Sequence, residues 1–144
     1  MKKLPVLAVI AMLIVAVARE QGVPIPGFPL GKESADSTLL EAYNERLSDV
    51  QVQGEGVVTK ILRDDLQGSR HQRFILELAG GQTVLIAHNI DLAPGISGLA
   101  RGDTVAFHGE YEWNPKGGVI HWTHHDPAGR HIDGWLKHAG KTYR

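Results

Sequence analysis

Hydrophobic and polar residues change their spacing twice along this chain, and each change marks a different kind of element. Residues 4–18 form an unbroken run without charge, preceded by Lys2 and Lys3 and closed by Ala16-Val17-Ala18 just ahead of Arg19-Glu20. That layout is a secretory signal peptide over residues 1–18, and its run is shorter than the roughly 20 apolar residues a membrane-crossing helix needs. A retained N-terminal anchor is the alternative. Residues 19–36 carry prolines and glycines with no period, the composition of a linker. Leu39, Leu40, Tyr43 and Leu47 then fall on one helical stripe, and Thr38 with Glu41 three residues on makes a capping box. Together they predict a helix within residues 37–49, laid against the domain.

From Val50 the period becomes two. "VQVQGEGVVTKIL", "HQRFILEL", "QTVLIAH", "DTVAFHGEYEW" and "VIHWTHH" each read as a strand, separated by "RDDLQGSR", "AGGQ", the long "NIDLAPGISGLARG" and "NPKGG". Five strands, a long third connection and glycines inside the first and fourth strands predict an all-β domain with one N-terminal helix. The strands form a small Greek-key barrel of the oligonucleotide/oligosaccharide-binding (OB) type over residues 50–126. Residues 127–144 are then a C-terminal tail packed on the barrel. An open antiparallel sheet with the helix on one face is the other arrangement. In the barrel the inner face should hold Val57 or Val58, Phe74, Leu76, Leu85 or Ile86, Val105, Phe107 and Trp122.

Charge narrows the partners. The 144 residues carry a formal charge of −1, which becomes −3 once Lys2 and Lys3 leave with the signal. Affinity for nucleic acid comes mainly from neutralised phosphates, so a nucleic-acid binder here would need a local basic patch. There is no cysteine, so an exported, periplasmic or extracellular domain of this size must rely on packing, with a metal as the available reinforcement. After signal removal no stable membrane insertion is expected.

The chemistry concentrates in "GGVIHWTHHDPAGRHIDGWLKH", residues 117–138, which holds five of the eight histidines. Imidazole and carboxylate suit divalent transition metals, zinc first, and the candidate ligands are His121, His124, His125, Asp126 and His131. Neighbouring strand residues point to opposite faces, so the groups before and after the "DPAG" turn are the easier ones to bring together. The other reading is that these histidines hydrogen-bond a tail onto the barrel. Aligning the last two strands across "NPKGG" puts Glu110 or Tyr111 opposite His121, where a carboxylate could orient the ring as a base. Asp64, Asp65 and His71 flank one loop, and adjacent carboxylates there are either oxygen ligands or ordinary turn residues. His88 closes the third strand. If strand ends converge, residues 64, 71, 88 and 121 share one rim, with Asp64, Asp65, His71, His88 and Glu110 as candidate catalytic groups. The tryptophans could stack bases or sugars, although Trp122 suits the core and Trp135 a plug for the tail.

"DDLQGSRHQRFIL", "TVLIAHNIDLAP", "GDTVAFHGEYEWNPKGGVIHWTHHDP" and "GWLKHAGKTY", in that order over residues 54–144, resemble the successive motifs of a bacterial, mostly exported family of domains of unknown function. The resemblance implies a small domain with a signal sequence and no particular substrate. "VVTKILRDD" followed by two strands and "LIAHNIDLAP" is similar in order to the opening of thermonuclease-type barrels, with Asp64 and Asp65 at the acidic turn. Here His88-Asn89 occupies the acidic end of strand three, with Asp91 beyond, and the family's catalytic arginine has no clear counterpart on strand three. Two functions therefore compete: a metal-dependent hydrolase acting on phosphodiesters or similar substrates, and a non-enzymatic barrel that binds nucleic acid, glycan or protein. A structural domain is the third.

Overall fold

The computed structural model describes residues 32–144. The expected signal peptide and most of the linker lie outside them. Among the described residues one helix, α1 (Lys32–Asn44), precedes seven strands: β1 (Val50–Ile61), β2 (His71–Glu77), β3 (Thr83–Asn89), β4 (Thr104–Glu112), β5 (Val119–His121), β6 (Trp135–His138) and β7 (Lys141–Tyr143). The ladder runs β1-β2-β3-β5-β4 and returns to β1, closing a five-stranded barrel with β3 and β5 parallel. This is the OB-like order. Two strands lie beyond the expected five: the tail forms a β6–β7 hairpin that pairs on β4.

Period-two alternation fixes the inside of the barrel. Phe74, Leu76, Ile86, Val105 and Phe107 are fully buried, and burial of each such side chain contributes about 1.5–3 kcal/mol. Of the paired alternatives, Val58 and Ile86 turn inward, while Val57 is 43% exposed. Tyr111 belongs to the same core and donates its hydroxyl hydrogen bond to the Gly117 carbonyl at 3.0 Å.

Trp122 does not. It follows the last residue of β5 with φ at 55°, a left-handed backbone that ends the strand and turns the indole out of the core. Ile120 fills the interior in its place.

The helix also differs from its expected form. It begins at Lys32, so Ser37 and Thr38 lie inside it and the Thr38–Glu41 pair does not start it. Leu39 and Ala42, three residues apart on one face, are buried, whereas Leu40 is 50% exposed and Leu47, beyond the helix end and after the left-handed Arg46, is 40% exposed. The buried face closes one end of the barrel. There the Trp113 indole donates to the Tyr43 carbonyl at 3.0 Å, and the Gln82 amide donates to the Leu39 carbonyl at 3.3 Å. Among the described residues no helix is long and apolar enough to cross a membrane.

The feature that positions the candidate site is an interruption along one edge of β4. β5 pairs with Glu110, Tyr111 and Glu112, stops at His121, and the chain leaves the sheet for residues 122–134. It returns as β6 against Ala106, Phe107 and His108 on the same edge. Gly134 makes the return possible, because a Cβ there would run into the Trp122 and His108 carbonyls.

Candidate metal centre on the outer barrel wall

Along β4 the side chains of Val105, Phe107 and Tyr111 point inward, which leaves His108, Glu110 and Glu112 on the outer wall. β5 repeats the rule, with Ile120 inside and His121 outside. The ladder pairs Glu110 directly with His121, the first of the two expected registers, and places Glu112 on the diagonal from His121. Gly109 lets the strands close, since a Cβ at that position would lie 2.5 Å from the His121 carbonyl oxygen.

Three donor groups meet there. His121 Nε2 lies 3.2 Å from Glu112 Oε1 and 3.5 Å from Glu110 Oε2, and one ligand atom from each of the three residues falls within a 4.8 Å span. Yet the same nitrogen is buried and hydrogen-bonded to neither carboxylate: the oxygens are near but out of line. Glu110 is 16% exposed and His121 30%, while Glu112 at 44% leaves the group open to solvent on one side.

A second imidazole comes from the excursion. His131 Nε2 stands 3.1 Å from Glu110 Oε2, and its Nδ1–H donates to the Ile132 carbonyl at 2.9 Å. The ring lies flat on Trp122, with centroids 4.1 Å apart and planes 6° apart. Asp126 holds this loop in place, its carboxylate accepting the backbone amides of Ala128 at 2.9 Å and of Arg130 and His131 at 2.8 Å each. The amides of Arg130, Ala128 and His131 keep the Asp126 carboxyl below its usual range.

The expected ligand set is therefore divided. His121 is in the group and His131 beside it. Asp126 spends both oxygens on loop amides, His125 pairs with Asp133 at 2.9 Å, and the buried His124 donates Nδ1–H to the His125 carbonyl at 2.7 Å. Glu110, expected as an acid or base, sits at the centre of the group. Glu112 was missed, although the outward series His108, Glu110, Glu112 opposite His121 would have found it.

Of the expected rim of residues 64, 71, 88 and 121, His88 and His121 lie on opposite sides of the barrel wall. His88 faces the interior and is fully buried, whereas His121 faces out. Its Nε2–H donates to the Pro94 carbonyl at 3.0 Å and its Nδ1 accepts the Thr123 hydroxyl at 2.8 Å. Burial pushes His88 down to about 4, with His124 and His71 adding to the effect and the Pro94 carbonyl opposing it. Asp64 is exposed, and Asp65 accepts the Gln67 amide at 3.0 Å, a turn-forming bond. His71 is bonded to the Ser69 carbonyl at 2.8 Å.

A family profile described as "Protein of unknown function (DUF3465)" matches residues 27–144. The chain belongs to the DUF3465 family. Among curated proteins none matches it. The matched segment includes all seven strands, so the outer-wall group lies inside the DUF3465 domain and not on an appendage to it.

Proposed function

We propose that this DUF3465 domain binds one divalent transition-metal ion, zinc before others, on Glu110, Glu112 and His121. The observation that carries the reading is the buried His121 Nε2 that approaches two carboxylates without bonding to either. With metal–ligand bonds of about 2.1 Å, donors around a tetrahedral ion stand about 3.4 Å apart. The separations of 3.2 and 3.5 Å match that edge. Two carboxylates balance the charge of a divalent ion, and the imidazole favours zinc, copper, nickel or iron over calcium and magnesium.

Hydrolysis of a phosphodiester asks for more than a bound ion: a water position on the metal and a base within hydrogen-bond reach of it. Asp65 and His71 are committed to backbone groups of their own loop, and His88 is sealed in the core. The geometry thus favours holding a metal over hydrolysing a substrate with it.

The test is elemental analysis and zinc titration of the full chain purified without a histidine tag. One ion per chain is expected, lost in Glu110→Gln and His121→Ala while the far-ultraviolet spectrum keeps its β-sheet form. Failure of zinc, copper, nickel and iron to bind stoichiometrically would remove the reading.

A further inference from the structure

Resting on that metal reading, we infer that His131 is the fourth ligand, so that the ion ties residues 122–134 to the barrel wall in a closed site of two imidazoles and two carboxylates. Zinc sites closed by four protein ligands are structural, whereas hydrolytic ones keep a position for water. The identity of the fourth donor therefore decides what kind of site this is.

Four features of His131 point the same way. Its Nε2 already lies 3.1 Å from Glu110 Oε2, again near the edge of a coordination tetrahedron, but outside the 4.8 Å span shared by the other three donors, so the loop must bring it closer to Glu112 and His121 when the ion binds. Its Nδ1 proton is committed to the Ile132 carbonyl at 2.9 Å. The Nε2–Glu110 hydrogen bond then needs a second ring proton, and a metal ion between the two groups would take that proton's place. A metal-ligating histidine almost always gives its other ring N–H to a carbonyl or carboxylate, and Ile132 supplies that partner here. Finally, the residue is held at both ends: the Asp126 carboxylate binds its amide at 2.8 Å, and Trp122 fixes the plane of its ring.

The arrangement also gives the excursion a purpose that pairing on β4 does not require. β5 and β6 could follow one another along β4 through a tight connection, yet thirteen positions, 122–134, leave the sheet and come back. Their polar side chains are spent on shaping that loop, with Asp126 on its amides and Asp133 on His125 and on the Asp126 amide at 3.1 Å. The outcome is one imidazole delivered beside Glu110.

Zinc titration by chelator competition and amide hydrogen exchange, both on the full chain, test this with wild type, His131→Ala and His131→Phe. The phenylalanine variant keeps a ring on Trp122 without a donor atom, which separates ligation from packing. Both variants should still take one zinc through the remaining three ligands, with affinity lower on the order of 10- to 100-fold. Zinc should slow exchange across residues 122–134 in wild type and not in His131→Phe. Equal zinc affinity in wild type and His131→Phe, or equal zinc-induced protection of the loop, overturns the inference while leaving the three-ligand site standing. Absence of zinc binding in wild type removes both.

Discussion

The imidazole of His131 lies parallel to the indole of Trp122, with centroids 4.1 Å apart and planes 6° apart. This stack exists because Trp122 adopts φ of 55° and so leaves the core for the outer wall, where the excursion can lay His131 over it. Stacked aromatic pairs contribute about 0.5–1.5 kcal/mol beyond area burial. Trp122→Ala should therefore lower stability to urea by at least that amount, and Trp122→Phe by clearly less. Equal losses in the two variants would show that an aromatic ring at this position contributes nothing by stacking on His131.

Glu110 is the shared partner of both candidate imidazoles, whereas Glu112 approaches only His121. The two carboxylates should therefore not be equivalent. Glu110→Gln should weaken zinc binding by more than about 100-fold and also free the loop, since it removes a ligand and an orienting partner together. Glu112→Gln should weaken binding while leaving His131 in place. Calorimetric titration of the two variants, with hydrogen exchange of residues 122–134 as the second readout, checks the difference.

Alternation carried most of the barrel. The positions of Phe74, Leu76, Val105 and Phe107 follow from a period of two, and the length of the "NPKGG" turn narrows the partner of His121 to Glu110 or Tyr111, of which the ladder uses Glu110. What alternation cannot express is where a strand stops. Trp122 continues the pattern of β5 on paper, yet its left-handed backbone breaks the ladder, and its carbonyl packs where only Gly134 leaves room. The same limit split the candidate ligands. A cluster of histidines in sequence suggests a cluster in space, but His124, His125 and Asp126 lie within a loop whose own carbonyls, Asp133 carboxylate and amides consume them. Glu112 is legible in the outward series His108, Glu110, Glu112 of β4.

Gly109 and Gly134 hold the two edges of the excursion. A Cβ on Gly109 would meet the His121 carbonyl at 2.5 Å and methyl groups of Ile120 and Thr123 at 2.9 Å each. Backbone cannot yield as a flexible side chain does, so Gly109→Ala should push β5 off β4 and cost about 1–3 kcal/mol or more. The separation of Glu110 from His121 should abolish zinc binding in the same variant. Gly68 meets nothing within 4 Å, and Gly68→Ala is the control: at φ of 65° it should cost some stability through backbone strain yet leave zinc affinity unchanged. Urea unfolding paired with zinc titration distinguishes the two.

His88 gives the fold a pH dependence with a definite sign. Its ring is fully buried, bonded to the Pro94 carbonyl and the Thr123 hydroxyl, and burial brings it from 6.5 down to about 4. In the unfolded chain the ring takes up a proton as pH falls through 6.5, while in the native state it stays neutral until about 4. Between those values the unfolded state binds more protons, so stability rises with pH. The stabilisation is present in full above 6.5 and is lost as pH falls toward 4. The displacement corresponds to about 3 kcal/mol at 1.36 kcal/mol per pH unit. His88→Gln keeps a donor for the Pro94 carbonyl but cannot titrate. It should be less stable than wild type at pH 7, yet over the descent to pH 4 it should lose about 3 kcal/mol less. Urea titrations of both proteins at several pH values measure the two slopes. Parallel slopes would mean that His88 takes its proton in the native state as readily as in the unfolded one.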